Sequence, residues 1–456
     1  MTESRTKLRF GTKRRGPILS LRAAVAWGCV LGSLCFSIDA TWAFAAPQEN
    51  AKPATESAAE SGPRKKANPA AKSDAGSPEF KKLAARANQA REQNRLQEAA
   101  ELYENALKLN PRWQEGWWYL GTLDYDANNY GDGVKAFRNL VELERTNASA
   151  LALLGLCEFE THDYGNAFVH LQMAKSKGKL LNDEIWHVLE YHLALLEILH
   201  GEFEAANKQL ADLVVHNILS QDVEMALGLT LLRVPLLPDQ IDPEKDALIA
   251  EAGRTGELMA LEDYNEADKS FQQLAHDYPT TPFVHLAYAS MLAGLSEFEK
   301  AEEQLREELK VNPGSAIPYV LLARVDVHLN RFQDALSMAQ QAAKLAPRSY
   351  APHYLLGRSL LGTDKVTEAI VELNTAKRLA PQDPEIRYCL ALALTRAKLP
   401  KEAAAEQAEF QRLTALAQSK RSGGASDVKS SSGNSSAPGE IEPNQLQSPP
   451  PRSPHQ

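Results

Sequence analysis

His187, Glu190 and His192, in the stretch HVLEYH, are the nearest this chain comes to a metal-binding constellation. Two imidazoles and a carboxylate are suitable zinc donors. His187 and His192 are five residues apart, however, which sets them about 140° apart around a helix. They point to different sides, and no metal is expected there. The sequence also lacks G-x4-G-K-[ST], G-x-G-x2-G, G-x-S-x-G and H-E-x2-H, the motifs for phosphate, dinucleotide, nucleophile and zinc chemistry. The chain reads as a non-enzyme with no cofactor.

Two other pairs recur at a fixed step: Arg324 and Arg358 are 34 residues apart, and so are Tyr354 and Tyr388. Side chains repeated at one interval need elements repeated at the same interval. Pro279, Pro313, Pro347 and Pro381 keep that step, as do Ala267, Ala301, Ala335, Ala369 and Ala403. A bulky residue (Tyr264, Phe298, Phe332, Val366) stands three places before each of the first four alanines. In the last three of those units and the one that follows, a small residue (Ala289, Ala323, Gly357, Ala391) falls on the same grid. Upstream the grid returns in Leu96, Ala99, Tyr103, Ala106 and Pro111, in Gly121 and Gly155, and in Tyr130 and Tyr164. The stretch WWYLGTLDYDANNYGDGVKAF adds Trp117, Leu120 and Phe137.

This pattern resembles the tetratricopeptide repeat, W-x2-L-G-x2-Y, then A-x3-F, then A and P over 34 residues. The resemblance covers roughly residues 79–416. It implies an all-α fold, an α-solenoid in which antiparallel helix pairs stack into a right-handed superhelix. Small residues let the two helices of a pair approach, the aromatic fills the gap beside the turn, and proline ends the second helix because it has no amide to continue it. Each pair leaves an apolar face that only a neighbour can cover. Units begin near Phe80, Gln114, Ala148, His187, Leu248, Pro282, Ala316, Tyr350 and Pro384. The spacing thus predicts an N-terminal array over 79–216 and a C-terminal array over 246–416. Between them, 217–245 is a degenerate unit or joint, where SQDVEMALGLTLLR is helical and VPLLPDQIDPEKD is a proline-broken loop.

In the family the first helices line a concave groove that holds a peptide or a partner protein. The corresponding positions here are Phe283, Arg324, His328, Tyr354, Arg358, Tyr388 and Arg396 in the C-terminal array, with Leu286 and Val320. In the N-terminal array they are Trp118, Tyr125, Phe159, Tyr191 and Leu195, a more apolar set suited to gripping a helix or to packing on the other array. Arginines repeated beside tyrosines suit an extended acidic or aromatic segment, because guanidinium groups pair with carboxylates and stack on rings. The clamp by which co-chaperone members grip a chaperone's terminal carboxylate is not expected, since Ala84, Asn88, Tyr119, Ser149 and Leu153 match it only at Asn88.

The ends differ in kind. Residues 1–45 have a basic start, an apolar run from Ala23 to Ile38 and small residues at Ala43-Phe44-Ala45, the layout of a signal peptide cut after Ala45. If uncleaved, residues 23–45 would anchor the chain in a membrane. Residues 46–78 read as a disordered Ala/Pro/Ser/Lys linker and 420–456 as a disordered Ser/Gly/Pro tail. The chain's net charge is −9, and removing a segment of seven basic and two acidic residues leaves −9 − 5 = −14. Such an acidic chain disfavours nucleic acid, and with it a helical-repeat RNA binder. Cys157 and Cys389, the two cysteines after the signal, stand in different repeats and are not expected to pair. Function is expected to be protein–protein interaction outside the cytoplasm, periplasmic or secreted, as a scaffold or adaptor. The alternative is an assembly or export factor bridging an envelope machine for polysaccharide or protein secretion.

Overall fold

Nineteen α-helices and no strand make up the described residues, 77–177 and 183–425, of the computed structural model. The signal segment, linker residues 46–76 and tail residues 426–456 lie outside them. The helices come as antiparallel pairs, α1 (Pro78–Glu92) with α2 (Leu96–Leu109), α3 (Gln114–Asp126) with α4 (Tyr130–Leu143), α5 (Ala148–Glu160) with α6 (Tyr164–Ser176) and α7 (Asp183–Leu199) with α8 (Phe203–Val215). A single helix, α9 (Gln221–Leu231), and two 3-10 turns, Pro238–Gln240 and Pro243–Lys245, follow. Pairing resumes with α10 (Asp246–Ala260) and α11 (Tyr264–Asp277), α12 (Val284–Gly294) and α13 (Phe298–Val311), and α14 (Ala316–His328) and α15 (Phe332–Leu345). It ends with α16 (Tyr350–Gly362) and α17 (Val366–Leu379), then α18 (Pro384–Arg396) and α19 (Pro400–Ala425). The chain forms two compact units, one reaching Leu355 and one starting at Leu356, within α16. No described helix is long and apolar enough to cross a membrane.

The repeated small residues sit where the helices of a pair meet. A Cβ added to Gly121 would lie 2.8 Å from the Phe137 ring, one on Gly155 2.8 Å from Leu171, and one on Gly357 2.4 Å from Leu373. From the second helices, Ala167, Ala267, Ala301, Ala335 and Ala369 have no exposed surface. Ala335→Leu should therefore destabilise the fold by about 1–3 kcal/mol through overpacking. A urea unfolding midpoint equal to wild type would show that the site yields freely.

A further periodic feature is visible only in the backbone. Asn94, Asn128, His162, Gly201, Glu262, Ser296, Asn330, Asp364 and Lys398 all have φ between 57° and 75°, one in the turn of each helix pair. A left-handed residue just past a helix end redirects the chain and lets the freed amides reach back to the last carbonyls. Asn94 N thus donates to Arg91 O at 3.0 Å, and Arg95 N to Ala90 O at 2.8 Å. Residue types vary while the conformation does not, so only Gly201 meets the demand without strain.

Two boundaries need correction. Ser77 accepts from Phe80 N at 3.1 Å and so caps a helix beginning at Pro78, inside the segment read as linker. At the other end α19 runs through Ala425, so residues 420–425 are helix rather than tail. The region 217–245, read as a degenerate unit or joint, holds the single helix α9 and two 3-10 turns. Leu210 and Leu213 of α8, Val223 and Leu227 of α9, Leu237 and Ile249 share one hydrophobic core, which runs through the junction. Here α9 and α10 touch backbone to backbone: a Cβ on Gly228 would lie 2.0 Å from Ile249 O, and one on Gly253 2.0 Å from Glu224 O.

Candidate protein-interaction surfaces

The residues of HVLEYH go to separate partners. His192 is buried, with Nδ1 donating to Val188 O at 2.8 Å and its ring edge-on to Phe159 at 4.9 Å; burial pushes its pKa down to about 4. His187 lies 6.0 Å from the His216 ring, and Glu190, nearly buried, is 3.6 Å from Lys175 Nζ. Among the described residues no group of three or more His, Cys, Asp or Glu is placed to hold a metal ion.

Lys175 also donates to Gln209 Oε1 at 2.5 Å, and Gln209 in turn donates to Glu197. Burial pushes the Glu197 carboxyl up to about 7, against the lowering effect of the Gln209 hydrogen bond and Lys175. Because the folded value lies above the ordinary 4.5, the native state holds this proton more tightly, and stability falls as pH rises from about 4.5 to about 7. Glu197→Gln should therefore raise the melting temperature at pH 8, with the gain shrinking toward pH 5. Equal gains at both values would exclude this carboxyl as the cause.

The apolar groove expected in the N-terminal array is largely filled by the chain itself. Helix α5 is buried from Ala150 through Glu158, and α7 from Val188 through Ile198. Tyr125 and Tyr191, read as groove residues, are 9% and 3% exposed. The Tyr125 ring packs on Tyr130 at 5.7 Å. Tyr191 and Leu195 share a core with Val223 and Met225 of α9 and Leu237 of the proline-broken segment, against which Phe159 also packs. Burial raises the pKa of Glu160 and of Tyr164, and the charge of Asp239 in that segment adds to it. Spacing could not reveal this cover, because it comes from residues outside the repeat. Trp118 remains half-buried, edge-on to Phe137 at 6.1 Å.

In the rest of the first unit, Phe283 is a left-handed residue (φ 73°) preceding α12, half-buried against the core of Phe271, Leu286 and Leu292. Its position is set by Glu308, which is fully buried and accepts from Phe283 N at 2.9 Å and Leu286 N at 3.2 Å. Leu286 and Val320 are buried, so they pack rather than line a surface. Arg324 and Tyr354 are half-buried, while His328 is exposed and stacks on Phe298 at 5.2 Å.

In the second unit, Arg358 is half-buried, and Arg396 serves the fold, donating from Nη1 to Leu361 O at 2.9 Å near the end of α16. Tyr388 differs from these: it is 45% exposed, beside Leu392 at 38%. Its ring lies 5.5 Å from that of Phe410. The two residues border an open cleft of about 580 Å³ between α18 and α19, with Thr395, Lys398, Ala404 and Gln407 on its other sides. Thr395 Oγ1 is satisfied by Ala391 O at 2.8 Å, and nearby Glu406 is held by Lys377 at 2.7 Å and Arg387 at 2.9 Å. The cleft wall is thus mostly apolar, with Thr395 and Gln407 in its lining and one cation, Lys398. Leu392 occupies the register position of Arg324 and Arg358, a legible signal; the α19 side was hidden because the groove reading considered first helices alone.

Stacked helix pairs with this register define the class: the chain carries tetratricopeptide repeats, a repeat that builds protein-interaction scaffolds. Family models described as tetratricopeptide repeat match residues 84–123, 120–177 and 326–393. No curated protein matches the chain. Among solved structures, MamA from Desulfovibrio magneticus RS-1 is similar at 19% identity over 38% of this chain and 97% of its own, with a TM-score of 0.36. Yeast Tom70 is similar at 13% identity over 77% of this chain and 97% of its own, with a TM-score of 0.28.

Proposed function

We propose that the chain is an exported adaptor that binds a protein partner through its C-terminal repeats. The contrast in exposure carries this reading: α5 and α7 are covered by the chain itself, whereas α18 presents Tyr388 and Leu392 beside an open apolar cleft. Aromatic residues at a partly desolvated rim are what protein interfaces favour. Arg358 supplies a cationic contact farther along the same unit. Export rests on the signal-like residues 1–45 and places the adaptor in the periplasm or outside the cell, as a scaffold of an envelope assembly.

The test is a photo-crosslinking amino acid at Tyr388, at Arg324, and at Val371, a 61% exposed position on α17. The adaptor reading expects one partner crosslinked from 388 and absent from 371. Equal labelling from all three would remove it. Mass spectrometry of the same protein should find Ala46 as the first residue; an intact Met1 would remove cleavage and leave the membrane-anchored alternative.

A further inference from the structure

A second opening lies among α3, the end of α4 and the start of α5. Gln114, Glu115 and Trp118 of α3, Leu140 and Glu144 from the end of α4, and Asn147 at the cap of α5 line an open pocket of about 190 Å³. Drug-sized ligands take about 300–1,000 Å³, so this pocket is sized for a single side chain. Its lining combines the half-buried indole of Trp118, the buried Leu140 and two carboxylates. Neither Glu115 nor Glu144 forms an ion pair among the described residues, although Arg112 and Arg145 are close in sequence. Glu144 stands at a costly place, the C-cap of α4, where the helix dipole disfavours negative charge. Asn147 Nδ2 donates to Glu144 Oε2 at 3.1 Å, which leaves Oε1 for another donor. The fold does not ask for these groups. Residues at the register of Glu144 in other repeats, among them Asn110, Tyr278, Asn312, Ala346 and Ala380, are uncharged, and the next repeat has Ser149 and Ala152 in the places of Glu115 and Trp118.

We infer that this pocket receives an arginine side chain of a protein partner. The inference rests on the chain binding a protein, and not on the cleft at Tyr388. A guanidinium stacks on an aromatic ring and donates from a planar fork, so it meets the Trp118 indole and a glutamate together. The two full negative charges of Glu115 and Glu144 outweigh the roughly half positive charge at each of the helix starts beside them, α3 and α5. Lysine brings a point charge without a plane to stack, and suits the pocket less. An aliphatic side chain would cover both carboxylates and pair neither, which is unfavourable. The repeat that follows offers neither carboxylate nor indole at these places, so a single arginine fixes where the partner sits along these repeats.

The probe is the blocked peptide acetyl-Gly-Arg-Gly-amide, titrated into the full chain and read by saturation-transfer NMR, with lysine and citrulline versions beside it. Citrulline keeps the shape of arginine without its charge. The arginine peptide should bind saturably in the millimolar range, as one side chain allows, the lysine peptide more weakly and the citrulline peptide not at all. In protein carrying 5-fluorotryptophan, the fluorine signal of Trp118, assigned from Trp118→Phe, should shift over the same range. Glu144→Gln, which keeps an acceptor for Asn147 while removing the charge, should weaken binding about five-fold, and Trp118→Ala by a similar factor. Glu142→Gln, at an exposed position outside the pocket, should leave binding unchanged. Circular dichroism melts establish that each variant is folded. Free arginine should bind more weakly than the peptide, because the glutamates repel its own carboxylate; tighter binding would make this a site for the free amino acid and overturn the partner assignment. No saturable binding, equal binding of the citrulline peptide, or unchanged binding by folded Glu144→Gln overturns the inference. Crosslinking from Tyr388 without arginine binding would overturn the pocket and leave the adaptor reading standing; arginine binding with equal labelling from 388, 324 and 371 would do the reverse.

Discussion

Gly228→Ala should lower the unfolding free energy by about 2–4 kcal/mol. The new Cβ would lie 2.0 Å from Ile249 O and 3.0 Å from Gly253 N, both backbone atoms that cannot rotate aside. Helices α9 and α10 must separate, which opens the core of Leu227, Leu229 and Ile249 that they close together. Alanine's better helix propensity offsets only about 1 kcal/mol of this. Gly131→Ala is the control, because nothing lies within 4 Å of its added Cβ. Urea unfolding should show a lower midpoint for the first variant and an unchanged or higher one for the second. If both behave alike, the close approach of α9 and α10 is wrong.

The second large effect is expected at Glu308. Its carboxylate is fully buried and accepts from Phe283 N and Leu286 N, with Asn312 Nδ2 at 3.4 Å. These amides belong to the start of α12, where helical partners are missing and a negative charge is favoured by the helix dipole. Phe283 is left-handed and bulky, a conformation costing about 1–2 kcal/mol that the carboxylate holds in place. Glu308→Ala should therefore destabilise by about 2–4 kcal/mol, leaving buried amides unsatisfied. Glu308→Gln, which keeps one acceptor, should cost less. Hydrogen exchange at Phe283 and Leu286 should quicken in both variants; unchanged protection at these amides would deny the contact its role.

The fold was legible because sterically strict positions permit few residue types. Gly121, Gly155 and Gly357 face side chains across a helix pair, and Ala335 and Ala369 are wholly enclosed, so their identities recur. The turn residues are equally strict in φ, yet the left-handed conformation is taken up here by Asn, His, Gly, Glu, Ser, Asp and Lys at modest strain, so no single letter marks every turn. Candidate surfaces were less legible for a related reason. Register places Tyr191 on a first helix but says nothing of what lies over it, and the cover comes from α9 and Leu237, outside the periodic grid. Arg396 looked like a groove cation, while its bond to Leu361 O depends on a neighbouring helix end.

The solitary helix α9 also alters the chain's sense of direction. Thr230 faces Asn207 of α8 and Arg233 faces Glu204, while Gly228 meets Ile249 and Glu224 meets Gly253 of α10, so α9 runs antiparallel to both neighbours. With one extra reversal, α10, α12 and α14 point the opposite way from α3, α5 and α7. The repeats before and after α9 therefore have opposite polarity. A partner strand with a fixed N-to-C orientation matches one stretch of repeats and meets the other backwards.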